Sequence, residues 1–186
     1  MSSTPLNSVA LLIVDMQDGF IKAIPDGEKI VSRCAFAIEA ARLFGIRTYF
    51  TTQAPEKLGD VTPRLQDLVE DPIIFPKTAF PALNADGLKE KLTEEKIDHL
   101  IIAGIETTIC VYQTALAAIG EEFDVTLFSD CISGRREEDR VPTLNALAAI
   151  GCHILPSEAV FYSILGDAAD PLFRDFTQLV KKYNSA

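Results

Sequence analysis

The chain has 186 residues and is acidic, with 17 Lys and Arg against 27 Asp and Glu and a formal net charge of −10. Nucleic acids and anionic membrane surfaces bind basic footprints, so this charge balance excludes both as expected partners. Apolar residues make up 48% of the chain, which is enough to build a substantial core. We therefore predict one globular domain over residues 1–186.

The sequence carries no targeting or metal-binding pattern. No apolar run reaches the ~18 residues of a membrane span. The N-terminal "MSSTPLNS" lacks a basic region followed by an apolar stretch, which predicts no signal peptide and a cytoplasmic protein. The four cysteines are far apart and form no C-x-x-C pair: Cys34, Cys110, Cys131 and Cys152. Disulfides are not expected, and two histidines, His99 and His153, are too few for a structural zinc site.

Strands and helices alternate along the chain. Apolar and β-branched runs predict strands at 9–15, 46–53, 73–77, 98–105, 124–130 and 152–156. Helical spacing of apolar residues predicts helices at 28–45, 63–69, 85–96, from about 108 onward, and at 137–151, 157–166 and 171–183. Pro142 is tolerated only in a first turn, so its helix is expected to start near Val141.

This alternation predicts the fold class. Strands separated by helices form right-handed βαβ units, which build a parallel sheet covered on both faces. The expected fold is α/β, a three-layer α/β/α Rossmann-like arrangement with about six strands in a mainly parallel sheet.

Polar or reactive side chains end four of the predicted strands. Asp15 follows the first strand, Gln53 the second, Lys77 the third and Cys110 the fourth. Ligands of open parallel sheets bind beyond the carboxyl ends of the strands. These four side chains are therefore the candidates for chemistry.

Several familiar chemistries lack their motifs in this chain. No G-x-G-x-x-G or P-loop sequence is present, so no dinucleotide or nucleotide site is predicted. No G-x-S-x-G elbow is present for a serine hydrolase. Neither histidine lies at a predicted strand end, where a catalytic metal would need it.

A cysteine nucleophile fits the pattern better. Cys110 should lie in the first turn of a helix capped by Thr107 or Thr108, where free N–H groups favour a thiolate and can bind an oxyanion. Asp15 could accept the thiol proton, and Lys77 could keep that carboxylate ionised and stabilise the thiolate. Taken singly, each residue also fits a purely structural role, because free cysteines are most often inert buried side chains.

Three segments together resemble the isochorismatase-like cysteine hydrolases. They are "ALLIVDMQDGF" with Asp15, "FPKTAFPAL" with Lys77, and "IIAGIETTICVYQTALAAIGEEFDVTLFSDCISGR" with Cys110. Counterparts of "TTQAPEKLGDVTPRL", "SGRREEDR" and "PSEAVFYSILGDAADPLFRDFTQLVKK" indicate the subgroup of isochorismatase domain-containing proteins. The resemblance spans nearly the whole chain and keeps the order Asp, Lys, Cys.

The resemblance implies a role for each catalytic position. Cys110 would attack an amide or similar carbonyl and form a thioester, Asp15 would be general base and then acid, and Lys77 would orient Asp15 and lower the pKa of the thiol. A non-proline cis peptide would join Ile105 to Glu106. It would turn the Glu106 N–H toward the oxyanion, beside the N–H of Cys110.

The resemblance also implies the surroundings of the site. Phe20, Gln53 and Phe80 would line the substrate pocket. The metal-binding histidines of nicotinamidases have no counterpart in "TTQAPEKLGD", so no catalytic metal and no cofactor are expected. True isochorismatases work without a cysteine nucleophile, so a chain with Cys110 is not expected to share their substrate.

Partners and alternative functions stay open at this point. The family commonly forms homo-oligomers, so we expect a dimer or larger assembly that binds a small-molecule substrate. The apolar side of the tail helix 171–183 is either a packing surface for another copy or the side that closes its own domain. A non-catalytic binding or scaffold protein, and a redox-sensing thiol protein, are the alternatives to the hydrolase.

Overall fold

The computed structural model describes residues 6–184. Residues 1–5, part of the segment on which the prediction of no signal peptide depends, lie outside the described residues. Among the residues described, no helix has both the length and the apolar character that crossing a membrane requires.

One parallel sheet of six strands forms the middle layer, with the spatial order β3-β2-β1-β4-β5-β6. The strands are β1 (Val9–Val14), β2 (Arg47–Gln53), β3 (Ile73–Lys77), β4 (His99–Ile105), β5 (Asp124–Ser133) and β6 (His153–Leu155). The predicted α/β fold class is confirmed. Strand β5 runs three residues past its predicted end at 130, because after a register shift Ile132 and Ser133 pair with the end of β4.

Helices cover both faces of the sheet. They are α1 (Asp18–Ile21), α2 (Gly27–Leu43), α3 (Pro55–Leu58), α4 (Pro63–Gln66), α5 (Leu88–Glu94), α6 (Tyr112–Gly120), α7 (Arg140–Ala149), α8 (Ser157–Leu165) and α9 (Phe173–Asn184). Helix α7 begins at Arg140, one residue before the predicted start, so Pro142 lies in its first turn as expected.

Strand β1 is buried on both faces and divides the core into two parts. Leu11 and Ile13 pack with α2, α8 and α9, whereas Leu12 and Val14 pack with α5, α6 and α7. Successive side chains of a strand point to opposite faces, so a strand between two helical layers needs an unbroken apolar run. The "VALLIV" sequence of β1 meets that requirement.

The tail helix closes its own domain. Phe176 of α9 is fully buried and contacts the rings of Phe36, Phe44 and Phe161. Lys182, near the end of the same helix, forms an ion pair with Glu39 of α2. Of the two interpretations of this helix, the structure supports the intramolecular one, because its apolar face is already covered.

The segment before α6 differs from the predicted capped helix. Residues Thr107–Val111 form a π-helical turn whose N-cap is Glu106, with no side-chain cap. The expectation that Thr107 or Thr108 caps this helix is wrong. The Thr107 hydroxyl lies inside the turn, buried and without a hydrogen-bond partner among the described residues.

Glycine is required at the end of β4. Gly104 has a φ of +117°, and a Cβ atom there would lie 2.1 Å from the Val14 carbonyl oxygen on β1. A side chain at this position would therefore force apart the two central strands, β1 and β4. The backbone leading to the Cys110 segment depends on this close approach.

Candidate active site

The sheet order brings the four predicted strand ends together. Strands β3, β2, β1 and β4 are neighbours, and they carry Lys77, Gln53, Asp15 and the segment with Cys110 at the same edge. Lys77 Nζ lies 2.6 Å from Asp15 Oδ2 and 3.7 Å from Cys110 Sγ. The lysine thus contacts both the carboxylate and the thiol.

Asp15 is held on both of its carboxylate oxygens. Its Oδ2 accepts a hydrogen bond from Lys77, and its Oδ1 accepts one of 2.8 Å from the Thr51 hydroxyl. The Asp15 N–H donates to the Thr51 carbonyl oxygen. The Asp15 and Lys77 side chains are both 0% exposed, so solvent does not screen this ion pair.

Gln53 contacts Lys77 directly. Its Oε1 accepts a 2.7 Å hydrogen bond from Lys77 Nζ, and its Nε2 donates to the Thr78 carbonyl oxygen. Gln17, fully buried, bonds the backbone N–H and carbonyl of Gln53 through its side-chain amide. Sequence reasoning missed Gln17 and Thr51. Gln17 could have been identified from the sequence, because it lies two residues after Asp15.

The pKa of the Cys110 thiol is raised to about 12. Burial is the largest cause and the charge of Asp15 the second, while Lys77 acts in the opposite direction. Lys77 lowers this pKa, as the resemblance implies, but burial and the charge of Asp15 outweigh it, so the expected net lowering at the helix start is wrong. Burial and the neighbouring carboxylate thus favour the neutral thiol, and Asp15 is the carboxylate beside it that can accept its proton.

Glu106 lies at the end of β4, next to the cysteine segment. The peptide bond between Ile105 and Glu106 is cis. Arg135 binds the Glu106 carboxylate through its backbone N–H at 3.1 Å and through its side-chain Nε, 2.9 Å from Oε1. Arg135 belongs to the "SGRREEDR" segment, which sequence reasoning noted but did not assign to the site.

A cavity of about 420 Å³ opens above Cys110. Its walls are mainly apolar, with Gln53, Glu106 and Arg135 as the polar exceptions: Gly19, Phe20, Ala23, Ile24, Gln53, Leu58, Phe80, Ile105, Glu106, Ile109, Cys110 and Arg135. Phe20, Gln53 and Phe80 all lie in this wall, and Phe80 is 51% exposed at its edge. Asp15 and Lys77 lie outside the wall, buried next to the thiol.

Cys110 differs from the other three cysteines in position. All four are free and buried, but only Cys110 lines this cavity. Cys34 and Cys131 are 0% exposed, and each thiol donates to a backbone carbonyl of the neighbouring segment. Within residues 6–184, no group of three or more His, Cys, Asp or Glu side chains is arranged to hold a metal ion.

Comparison with known proteins places the chain in a family. The Isochorismatase domain family model matches residues 9–159. The chain belongs to the isochorismatase domain family. The prediction made from the Asp15, Lys77 and Cys110 segments is thereby confirmed at the level of the family.

Relatives of known sequence support this membership. Isochorismatase domain-containing protein 2 of Xenopus laevis is 31% identical over 173 residues, which cover 93% of this chain and 83% of that protein. Isochorismatase domain-containing protein 1 of Danio rerio is 32% identical over 179 residues, which cover 96% of this chain and 62% of that longer protein.

Solved structures share the fold. The MAR1 ribonuclease of Caenorhabditis elegans superposes with a TM-score of 0.88 at 28% identity, covering 97% of this chain and 93% of that one. The YcaC gene product of Escherichia coli, described as an octameric hydrolase of unknown specificity, has a TM-score of 0.84 at 23% identity and covers 100% and 98%. At that identity the likeness concerns the fold alone. The chain thus has the fold of isochorismatase-like hydrolases.

Proposed function

We propose that this protein is a metal-independent cysteine hydrolase of a small amide-type or related carbonyl substrate, with Asp15, Lys77 and Cys110 as its catalytic residues. The proposal rests mainly on one observation: Lys77 Nζ contacts both the Asp15 carboxylate and the Cys110 thiol at the base of a largely apolar cavity. An acid–base group, a cation and a nucleophile meet there within hydrogen-bonding range.

The first half of the reaction forms a thioester. Asp15 accepts the thiol proton as Cys110 Sγ attacks the carbonyl carbon, and the backbone N–H groups of Glu106 and Cys110 stabilise the oxyanion. The C–N bond then breaks as Asp15 returns the proton to the leaving nitrogen. Because the pKa of the thiol is raised to about 12, little thiolate is present beforehand, and the proton must pass to Asp15 as the attack takes place.

The second half regenerates the thiol. Asp15, again a carboxylate, takes a proton from a water molecule that attacks the thioester carbonyl. The C–S bond breaks, the thiolate recovers the proton from Asp15, and the carboxylic acid leaves. Lys77 keeps Asp15 in its charged form between the two halves, since a buried carboxylate without a nearby cation tends to take up a proton.

A fold neighbour supports the presence of a reactive nucleophile in this fold. YcaC from Pseudomonas aeruginosa, with a TM-score of 0.85 and 20% identity, is described with covalent acrylamide. A protein of this fold thus forms a covalent bond to a small amide-bearing electrophile. Acrylamide is captured at its C=C bond and not at its carbonyl, so this neighbour supports a nucleophile and not the acyl transfer itself. For this chain we propose Cys110 as the nucleophile, with Phe20, Gln53 and Phe80 in the pocket wall.

The wider setting follows the family and the composition. We propose a single hydrolase domain over residues 1–186, acting in the cytoplasm without cofactor or metal. The octameric description of the Escherichia coli neighbour supports a homo-oligomer. The ribonuclease name of the Caenorhabditis elegans neighbour does not transfer here, because a chain of net charge −10 is unsuited to a polyanionic substrate.

A trapping experiment tests the proposal. The protein is incubated with a panel of small primary amides and activated esters, and the intact mass and the tryptic peptides are analysed for an acyl group on Cys110. We expect acylation and turnover in the wild type and in Cys152→Ser, and neither in Cys110→Ser. Cys152 is the matched control because it is also buried but lies outside the cavity.

The same experiment separates the alternatives. Acylation at all four thiols alike would remove the case for a nucleophile. A binding or scaffold protein would retain the amides without acylation. A redox-sensing thiol would react with hydrogen peroxide at Cys110 but would hydrolyse no member of the panel.

A further inference from the structure

The Lys77 ammonium has more acceptors around it than hydrogens to donate. Asp15 Oδ2 lies 2.6 Å from Nζ, Gln53 Oε1 2.7 Å and the Ala79 carbonyl oxygen 3.2 Å. Cys110 Sγ, at 3.7 Å, is the fourth acceptor. An ammonium group carries three hydrogens. The three oxygens therefore compete with the sulfur for hydrogen bonds from Lys77, and they determine how strongly the ammonium group interacts with the thiol.

Among these oxygens, that of Gln53 has a defined orientation. Gln53 Nε2 donates to the Thr78 carbonyl oxygen at 2.7 Å while Oε1 accepts from Lys77. The flipped amide would set an N–H group against the ammonium and an oxygen against a carbonyl, and both contacts would be repulsive. Gln53 therefore presents an acceptor to Lys77 in only one of its two amide orientations.

The backbone of Gln53 is held by the loop that follows Asp15. Gln17 accepts a 2.8 Å hydrogen bond from the Gln53 N–H and donates one of 3.0 Å to its carbonyl oxygen. Gln17 is fully buried and also donates to the Gly59 carbonyl oxygen at 2.6 Å. The strand end carrying Gln53 is thus fixed relative to the loop that begins at Asp15.

We propose that Gln53 is a positioning residue that accepts one hydrogen of the Lys77 ammonium and so limits how strongly Lys77 interacts with the Cys110 thiol beside Asp15, an inference that rests on the roles proposed above for these three residues. A neutral amide takes up one ammonium hydrogen without adding charge to the site. Lys77 then has one negative charge beside it, that of Asp15. Its positive charge can therefore still stabilise the Cys110 thiolate when the thiol loses its proton. Gln53 is thus more than a wall of the substrate cavity.

Two substitutions should shift Cys110 in opposite directions. Gln53→Glu puts a second carboxylate against Lys77, which disfavours the thiolate, so iodoacetamide should alkylate Cys110 about tenfold more slowly, the change that one pKa unit produces. Gln53→Met keeps the length of the side chain but removes the acceptor. The freed ammonium hydrogen can then turn toward Sγ, and alkylation should become several-fold faster.

The measurement is the rate of Cys110 alkylation as a function of pH, followed by peptide mass spectrometry, with kcat and KM on any amide that is turned over. Gln178→Glu and Gln178→Met on the exposed surface of α9 are the matched controls and should leave the profile unchanged. Melting temperatures show whether each variant is folded. If Gln53→Glu fails to fold, the direction of the Gln53→Met shift decides alone.

The outcomes also separate this inference from the proposed function. Profiles identical to the wild type in both Gln53 variants, with only KM altered, would overturn the positioning role. Opposite shifts in a protein that hydrolyses no amide would leave the positioning role intact and contradict the hydrolase. Opposite shifts accompanied by a lower kcat in both variants would support the two together.

Discussion

Lys77 Nζ and Asp15 Oδ2 form an ion pair of 2.6 Å in which both side chains are completely shielded from solvent. Burial of two charges carries a desolvation cost that their attraction offsets only when the remaining polar atoms are also satisfied. Here the Thr51 hydroxyl donates a hydrogen bond to the second oxygen of Asp15. Gln53 Oε1 and the Ala79 carbonyl oxygen accept further hydrogen bonds from Lys77. Because the pair is buried and hydrogen-bonded to its surroundings, removing either charge also affects stability. Tests of catalysis therefore need conservative substitutions.

Asp15→Asn should separate turnover from thiol reactivity. The amide cannot act as a base, so hydrolysis should be lost. The charge of Asp15 is the second-largest cause of the raised pKa of Cys110, so removing it should lower that pKa. We therefore expect faster alkylation of Cys110 by iodoacetamide at mildly alkaline pH, by about tenfold for each pKa unit. Slower alkylation together with retained turnover would contradict the assigned base.

Lys77→Met should be among the more destabilising substitutions in the chain. It leaves the Asp15 carboxylate buried without its cation, and breaking a buried pair in this way costs about 3–5 kcal/mol. Urea denaturation measures the loss. The control is Lys89→Met, which removes an ion pair with Glu121 whose side chains are 48% and 46% exposed, and should change stability by about 0–1 kcal/mol. Equal losses would argue against the buried-pair account.

Arg135→Ala should reduce kcat more than it reduces stability. Arg135 holds the Glu106 carboxylate, and the backbone N–H of Glu106 is one of the proposed oxyanion donors. A looser Glu106 should lower kcat by about tenfold or more, since loss of one oxyanion donor costs about 10²–10³. Arg136→Ala is the control, because its side chain is 67% exposed and, among residues 6–184, forms ion pairs only with Glu138 and Asp139. An equal effect of both variants would exclude a specific role for Arg135.

The stability of the protein should fall in alkaline solution. Burial raises the pKa of Cys110 to about 12 and that of Cys152 to about 11, above the ordinary value of 9.0. Below pH 9 both thiols are protonated in the folded and in the unfolded protein, so their contribution to the free energy of unfolding is fully present. Above pH 9 the thiols lose their protons in the unfolded chain first. The free energy of unfolding therefore decreases as the pH rises toward the pKa values of the folded protein. Urea titrations between pH 8 and 11 measure this, and the decrease should be shallower in Cys152→Ala.

Phe176→Ala tests the assignment of α9 to its own domain. The ring is fully buried against Phe36, Phe44 and Phe161, and truncating such a side chain costs about 3–5 kcal/mol. Val141→Ala, at a position that is 60% exposed, should cost far less. A concentration-dependent loss, confined to dilute protein, would instead indicate that α9 packs between copies.

Much of this protein could be read from local patterns. The apolar run of β1 and the alternation of strands and helices predicted a parallel sheet, because burial on both faces demands unbroken apolar strands. The carboxyl ends of parallel strands share one edge, so Asp15, Lys77 and Cys110 could be expected near each other without any coordinates. The family resemblance of the three segments added the proposed chemistry.

Only the tertiary structure decided how these groups act on one another. The hydrogen bonds of the site join residues that are 24 to 36 positions apart in the sequence. They link Gln53 to Lys77, Gln17 to Gln53, Thr51 to Asp15, and Arg135 to Glu106. The pKa of Cys110 rises because burial and the charge of Asp15 outweigh Lys77, a balance that depends on distances of a few ångströms. Sequence determines which residues reach the sheet edge, whereas their hydrogen bonds and charges depend on packing between strands that the sequence pattern does not measure.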